Sequence, residues 1–284
     1  MNFLRGVCCC LVVMAQARCL EAPHAAEDLA REIRELTLDA EESYHVRDVE
    51  LRRGDLKIFL NEGILSFAKP VAGRRVAAFF TTQGVETGDA EILVLPPTAA
   101  ERASLTSFAG RPNLDEHFNS AVFFFADNTV NDVLQQVPQG RLRNTPGIVE
   151  GIAASANDLL QNFGRQFETR ILESLLDGHN PVNGYFFAGI GSRELGPFDV
   201  LYAPDAVEPV SVGRVVEADN AEPMFQLWTG YRPRSAPLYS RPAPAISNYR
   251  IATTIGDDLS ISATARFDFA AHADTGRAIT LNLS

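Results

Sequence analysis

The stretch that decides the fold is residues 51–95, LRRGDLKIFLNEGILSFAKPVAGRRVAAFFTTQGVETGDAEILVL, where short runs of alternating apolar residues are separated by turn chemistry. Leu56, Ile58 and Leu60 share one face of a strand, Asn61-Glu62-Gly63 offers a turn, and Leu65 and Phe67 begin the return. Residues 70–73 and 84–88 supply two further reversals, into strands at 75–81 and 91–95. The pattern predicts a four-stranded antiparallel meander in which each strand pairs with its neighbour in sequence. Nothing inside it supplies a nucleophile, a metal cluster or a phosphate loop, so it reads as a scaffold.

Beyond this stretch, Thr98 and Glu101 make a capping-box signature that opens a helix, and Gly110 closes it. Residues 121–126 are continuously apolar, as a strand buried on both faces would be, and Asp127-Asn128-Thr129 leads into a second short helix. Leu159, Phe163, Phe167, Ile171 and Leu175 then recur every fourth residue and predict a long amphipathic helix ending at Gly178. Strand-like runs at 185–190, 198–202, 210–216 and 225–229 complete an α+β domain, an antiparallel meander sheet packed with that long helix. Upstream, Leu29, Ile33 and Leu36 mark a bracing helix over 25–36, followed by an acidic loop at 39–42. Downstream, Pro233, Pro237, Pro242 and Pro244 give a semi-rigid linker, after which 249–255, 259–269 and 277–283 alternate as strands. Three strands cannot close a sandwich, so this last part reads as the beginning of an all-β, sandwich-like segment.

The expected division is residues 1–17 as a signal peptide, 18–44 as N-terminal helix and acidic loop, 45–232 as the α+β domain, 233–247 as linker and 248–284 as an incomplete β domain. Arg5, the apolar run 7–14 and the small-x-small site Ala15-Gln16-Ala17 carry the signal-peptide reading, which implies a secreted or periplasmic protein of the cell envelope. The apolar run is too short to span a bilayer, so no integral membrane segment is expected after cleavage. Cys8, Cys9 and Cys10 lie inside that signal, which leaves only Cys19 and no intrachain disulfide. Lipidation at Cys19 is disfavoured by Arg18 directly before it. With 284 residues and 46% hydrophobic content the chain can build a real core, and its formal net charge of -11 argues against a nucleic-acid surface. A protein or peptide partner fits that charge better.

Chemistry-bearing constellations are sparse. The five histidines, His24, His45, His117, His179 and His272, show no pair at i, i+4 and none is followed by Glu, so no zincin helix is present. Gly189-Ile190-Gly191 has Glu194 where a dinucleotide turn needs its third Gly, and Ser192 lacks a nucleophile elbow. Asp127 with Asp132, and Asp257-Asp258, lack the alternating ligand spacing of a calcium loop. No catalytic and no metal residue is therefore assigned. Phe225, Trp228 and Tyr231 form the densest aromatic cluster and are the candidate peptide or interdomain contact, with core packing as the plainer alternative.

Four runs carry a resemblance: REIRELTLDAEESYHVRDVELRRGDLKIFLNEGILSFAKPVAGRR (31–75), LPPTAAERASLTSF (95–108), FFFADNTVNDVL (123–134) and YRIATTIGDDLSISATARFDF (249–269). Together they resemble the N-terminal, non-catalytic portion of secreted bacterial zinc metallopeptidases of the aminopeptidase N-like, gluzincin class. The resemblance implies a scaffold segment whose partner is its own catalytic domain downstream, with zinc held only in that longer protein and no cofactor in this chain. The rival expectation is a self-contained secreted or envelope interaction module without enzymatic activity.

Overall fold

Gly54, at φ +62°, lets the chain reverse within two residues, so β1 (Leu38–Arg53) and β2 (Leu56–Ala68) open the main sheet as one long hairpin. The computed structural model describes residues 26–137, 159, 168–177, 184–204, 206–217, 224–234, 245–258 and 260–270. Within them the chain is β-rich and its sheets are antiparallel. After the hairpin come β3 (Ala77–Thr81), β4 (Asp89–Val94), β5 (Leu114–Phe125), β6 (Phe186–Ser192), β7 (Pro197–Tyr202), β8 (Val210–Val216) and β9 (Met224–Tyr231). β3 and β4 share a single position between β2 and β5, β3 against residues 64–67 and β4 against residues 56–62 of β2. They are two halves of one strand, interrupted by the excursion 82–88.

Three expectations from the sequence change here. Residues 84–88 do not reverse the chain: β4 continues along β2 in the direction of β3 and does not pair with it, so the expected four-stranded meander of sequence neighbours does not form. Asn61-Glu62-Gly63 does not turn; β2 runs straight through it, pairing Gly63 with Val46. A Cβ on Gly63 would sit 2.4 Å from the Phe80 ring, so the glycine serves close packing instead of reversal. The acidic residues 39–42 are part of β1, bulged where the register shifts between Leu38 and Ser43. Arg75 pins that bulge, with Nη1 3.4 Å from Asp39 Oδ2 and Nη2 3.2 Å from Glu42 Oε1.

The sheet curls strongly. Arg53 on β1 lies over the Phe186 ring on β6, 5.2 Å from its centroid, although the two strands are four positions apart. A flat sheet would separate them by about 19 Å at ~4.8 Å per position. Arg234, beyond β9, donates its backbone N–H to Asp55 at the start of β2 at 3.2 Å, across six positions. The inner face gathers one apolar cluster that includes Val46, Ile58, Phe123, Phe186, Val212 and Trp228. At about 1.5–3 kcal/mol for each large buried side chain, this cluster is the main source of stability.

Helices close what the ladder leaves open. α2 (Ala99–Ala109) has the expected box, Thr98 and Glu101 capping each other, and ends at Gly110 with φ +74°. It lies against β9, where Ser104 Oγ donates to the Trp228 carbonyl at 2.7 Å. α3 (Thr129–Gln136) lies against β1, where the Gln136 amide accepts from Glu50 N at 2.9 Å and donates to Glu50 O at 3.0 Å. That side chain imitates a paired strand, and so protects the edge of β1 from another chain. Outside the curl, α1 (Ala26–Arg34) and α4 (Glu168–Asp177) cover a second cluster containing Leu29, Ile33, Phe79, Phe124, Ile171 and Phe187, and Arg34 Nε reaches Glu168 Oε1 at 2.7 Å. The helix expected from Leu159 is described only as the ten residues of α4. Leu159 is buried in the same cluster, while Phe163 and Phe167 fall outside the described residues.

The chain ends its described course in a separate two-stranded ribbon, β10 (Ala245–Ile255) and β11 (Ile261–Ala270), joined by the expected turn at Gly256-Asp257-Asp258. Most of the proline-rich linker, 235–244, and the expected strand 277–283 lie outside the described residues.

Candidate functional site

Three polar constellations and one apolar surface are candidates. The first is built where β1 comes round to β6. Arg53 Nε donates to Asp127 Oδ2 and one terminal nitrogen to Thr129 Oγ1 at 2.8 Å, with Asp132 Oδ2 at 3.1 Å. The Asp127 side chain is 2% exposed and also accepts from Thr129 N at 2.9 Å, so its lone pairs are occupied. Burial opposes the Arg53 charge, but Asp127 and Asp132 outweigh it and hold the guanidinium pKa above its ordinary value. An open cleft of about 300 Å³ adjoins this network, lined by Arg74, Arg75, Asp127, Asn128, Val130 and Asn131 among others. Arg75 is already spent on Asp39, Glu42 and the Ala68 carbonyl, and Asn131 on Asn128. The arrangement ties α3 to the sheet.

The second constellation surrounds the interruption between β3 and β4. Asp89 receives Asn61 Nδ2 at 3.0 Å, His117 Nδ1 at 3.0 Å and Arg193 Nη2 at 3.1 Å. Partial burial pushes the Asp89 carboxyl up, yet the hydrogen bonds from Asn61 and His117 and the nearness of His117 and Arg193 bring it below its ordinary value. Glu62 takes Thr87 and Arg47, with His45 Nε2 at 3.6 Å. Glu91 is shifted the other way, above its ordinary value, by burial and by the adjacent Asp115. No hydroxyl or thiol nucleophile stands in hydrogen-bond reach of His117 among the contacts of the described residues. They anchor the excursion 82–88.

Ser192 belongs to the third. Its Oγ donates to Glu116 Oε2 at 2.7 Å and accepts from the backbone N–H of Glu194 and Leu195, while Arg111 neutralises Glu116 Oε1. The hydroxyl is used up by the turn after β6.

The aromatic candidates divide between faces. Trp228 is 2% exposed and tilted against Phe198 at 5.5 Å, and Tyr231 is buried in the same inner cluster. Burial, with Asp55 and Glu101 nearby, raises the Tyr231 phenol pKa well above normal. Phe225 instead packs, partly exposed, against the outer cluster. The structure therefore does not bring the three rings into one surface.

The apolar surface is the ribbon. Tyr249, Ile251 and Ile255 on β10 and Ile261 and Phe269 on β11 are exposed, with Ile251 at 68% and Ile261 at 71%. Alternation puts Ile251, Thr253 and Ile255 beside Ala265, Ala263 and Ile261 on one side, and Arg250, Thr254, Ser262 and Arg266 on the other. Among the described residues nothing hydrogen-bonds to these strands except each other.

No known protein family, curated protein or solved structure matches this chain. Its chemistry must be read from its own residues. Among the described residues no three His, Cys, Asp or Glu side chains converge to hold a metal, so none is assigned to zinc. No described helix is long and apolar enough to cross a membrane. The Arg53–Asp127 network and the Gln136 clamp escaped the sequence reading because their partners are 74 and 86 residues apart.

Proposed function

We propose that this chain is a non-catalytic scaffold segment of an exported, zinc metallopeptidase-like protein, its curled sheet carrying the first strands of a following β domain. The uncovered apolar side of the β10–β11 ribbon carries this reading. A two-stranded ribbon is marginal in water by itself, and exposed isoleucines at this density mark a surface awaiting a second layer. The main sheet, by contrast, has its polar networks spent on its own loops and helices, as a scaffold needs. The resemblance over 249–269 supports the same direction, with peptide chemistry, zinc and a hydrolytic site belonging to the downstream part. The signal-like residues 1–17 support export.

The test is to isolate the native exported protein and determine its intact mass, its N-terminal residue and its zinc content. The proposal expects a polypeptide much heavier than this chain, starting near Arg18, with zinc bound outside residues 18–284. A native protein of this chain's own mass, active in binding another protein and free of peptidase activity, would instead establish the self-contained interaction module.

A further inference from the structure

We propose that Arg232-Pro233-Arg234 is a strap that latches the curled sheet shut and releases as one unit, so that the same contacts close the curl and fix the point at which the chain leaves it. The inference goes beyond the scaffold reading and holds whatever the mass or zinc content of the native protein.

β9 and β2 stand six positions apart in the ladder, and the residues just past β9 bring them together. Arg234 donates its backbone N–H to Asp55 Oδ2 at 3.2 Å and Nη2 to the Pro97 carbonyl at 3.0 Å. One residue thus grips both the β1–β2 turn and the loop that leads into α2. Arg102 Nη1, on α2, donates to the same Pro97 carbonyl at 3.1 Å and to Pro96 O at 3.0 Å. Two guanidinium groups therefore occupy the two lone pairs of one carbonyl. Arg232 Nη2 reaches the Ala206 and Val207 carbonyls, each at 3.2 Å, in the turn between β7 and β8. Three loops remote from one another in sequence meet on three consecutive residues.

The strap keeps the alternation of β9 beyond its last residue. Tyr231 and Pro233 are buried, while Arg232 is half-buried and Arg234 exposed. The Tyr231 phenol meets the backbone of Leu95, the residue that follows β4, so the inward side chains seat the strap on the strand that the outward ones reach past. Pro233 fixes its own φ near −65° and stiffens the backbone between the two arginines, so neither lifts without the other. The latch is nonetheless weaker than the sheet it closes. The bonds from Arg234 and the one from Arg232 to Val207 are exposed, and water replaces such bonds at little net cost, whereas the cluster beneath them is dry. The strap can therefore release while the inner cluster stays packed. A pull on the residues after Arg234 is met first at Asp55 and Pro97, that is, at the entry to β2 and the cap of α2.

The test is residue-resolved hydrogen exchange on the whole chain. Three amides report the latch: Arg234, bonded to Asp55; Arg102, bonded to Thr98 O at 3.2 Å in the first turn of α2; and Ala206, bonded to Ala203 O at 3.0 Å in the β7–β8 turn. In the unaltered chain the Arg234 amide should exchange at least about tenfold more slowly than in an unstructured peptide. Asp55→Ala removes the acceptor and should speed all three amides by a common factor of about ten, with Ala121 to Phe125 in β5 unchanged. Asp55→Asn keeps an oxygen acceptor and should return all three towards the parent rates. An unprotected Arg234 amide in the unaltered chain, acceleration at Arg234 alone, or acceleration that extends to β5 would each overturn the proposal. So would an Asp55→Asn chain that behaves like the alanine variant.

Discussion

The curled sheet and the ribbon are made of the same hydrogen-bonded ladder and the same alternation, yet Ile58 and Leu60 in β2 are fully buried whereas Ile251 and Ile261 in the ribbon are more than two-thirds exposed. The difference lies in layers. In the main sheet, curvature brings β1 against β6, the four described helices cover edges and faces, and aromatic rings interlock across strands, as Phe123 does with Phe186 at 5.9 Å. In the ribbon one ring contact, Tyr249 with Phe267 at 5.6 Å, stands alone on an open side. Strand pairing satisfies backbone groups, but the net gain comes from removing apolar area from water. A ribbon with no covering layer has little to set against its ordering entropy.

The sharpest way to break this contrast is to delete one ring in each region. Phe123→Ala should destabilise the main sheet by about 3–5 kcal/mol in a denaturant titration, whereas Phe267→Ala should leave the main transition within about 0.5 kcal/mol. Equal losses would mean that the ribbon docks on the sheet. Next in size is Arg53→Ala, which strands the buried Asp127 carboxylate. It should cost about 3 kcal/mol or somewhat more and loosen α3, and the midpoint of chemical unfolding reports it. Gly63→Ala forces a Cβ against the Phe80 ring and the Thr81 carbonyl and should cost about 1–3 kcal/mol through overpacking. Gly73→Ala meets no atom within 4 Å but must hold φ +76°, so about 1 kcal/mol is expected there.

The smallest expected effects are pH-dependent. Asp89 has a depressed carboxyl in the folded state, so its contribution is present above its unfolded value of about 3.9 and is lost as pH falls through the lower folded one. Asp89→Asn should therefore be less stable than the parent at neutral pH and converge on it in strong acid. Glu91 has the opposite sign. Its raised carboxyl makes ionisation unfavourable in the folded chain, so Glu91→Gln should stabilise at neutral pH and lose that advantage below about pH 4. Thermal unfolding across pH checks both.

How far the chain could be read beforehand follows from the range of the interactions involved. The capping box of α2 was visible because Thr98 and Glu101 are three residues apart, and β6 to β9 and the ribbon because alternation is a local signal. The first strand was hidden by the acidic residues at 39–42, two of which, Asp39 and Glu42, are paired by Arg75 from 36 and 33 residues away in the sequence. Gly63 misled because close packing and turning both call for glycine, and the Phe80 ring that distinguishes the two is seventeen positions away. In the candidate surfaces, the ribbon was marked by its alternation, whereas the cluster Phe225, Trp228 and Tyr231 was marked by residue type alone. Strand parity and the register shift in β9 then sent those rings to different places.

The central claim, that the curled sheet is self-sufficient and the ribbon depends on cover from elsewhere, is tested most directly by native-state hydrogen exchange at increasing denaturant. Amides of Ala121 to Phe125 in β5 should exchange only through global unfolding, while the inner ribbon amides of Ser262 and Thr264 should open by a separate event at least about 100-fold more readily. A single common opening free energy for both sets would contradict the account and make the ribbon part of the same cooperative core.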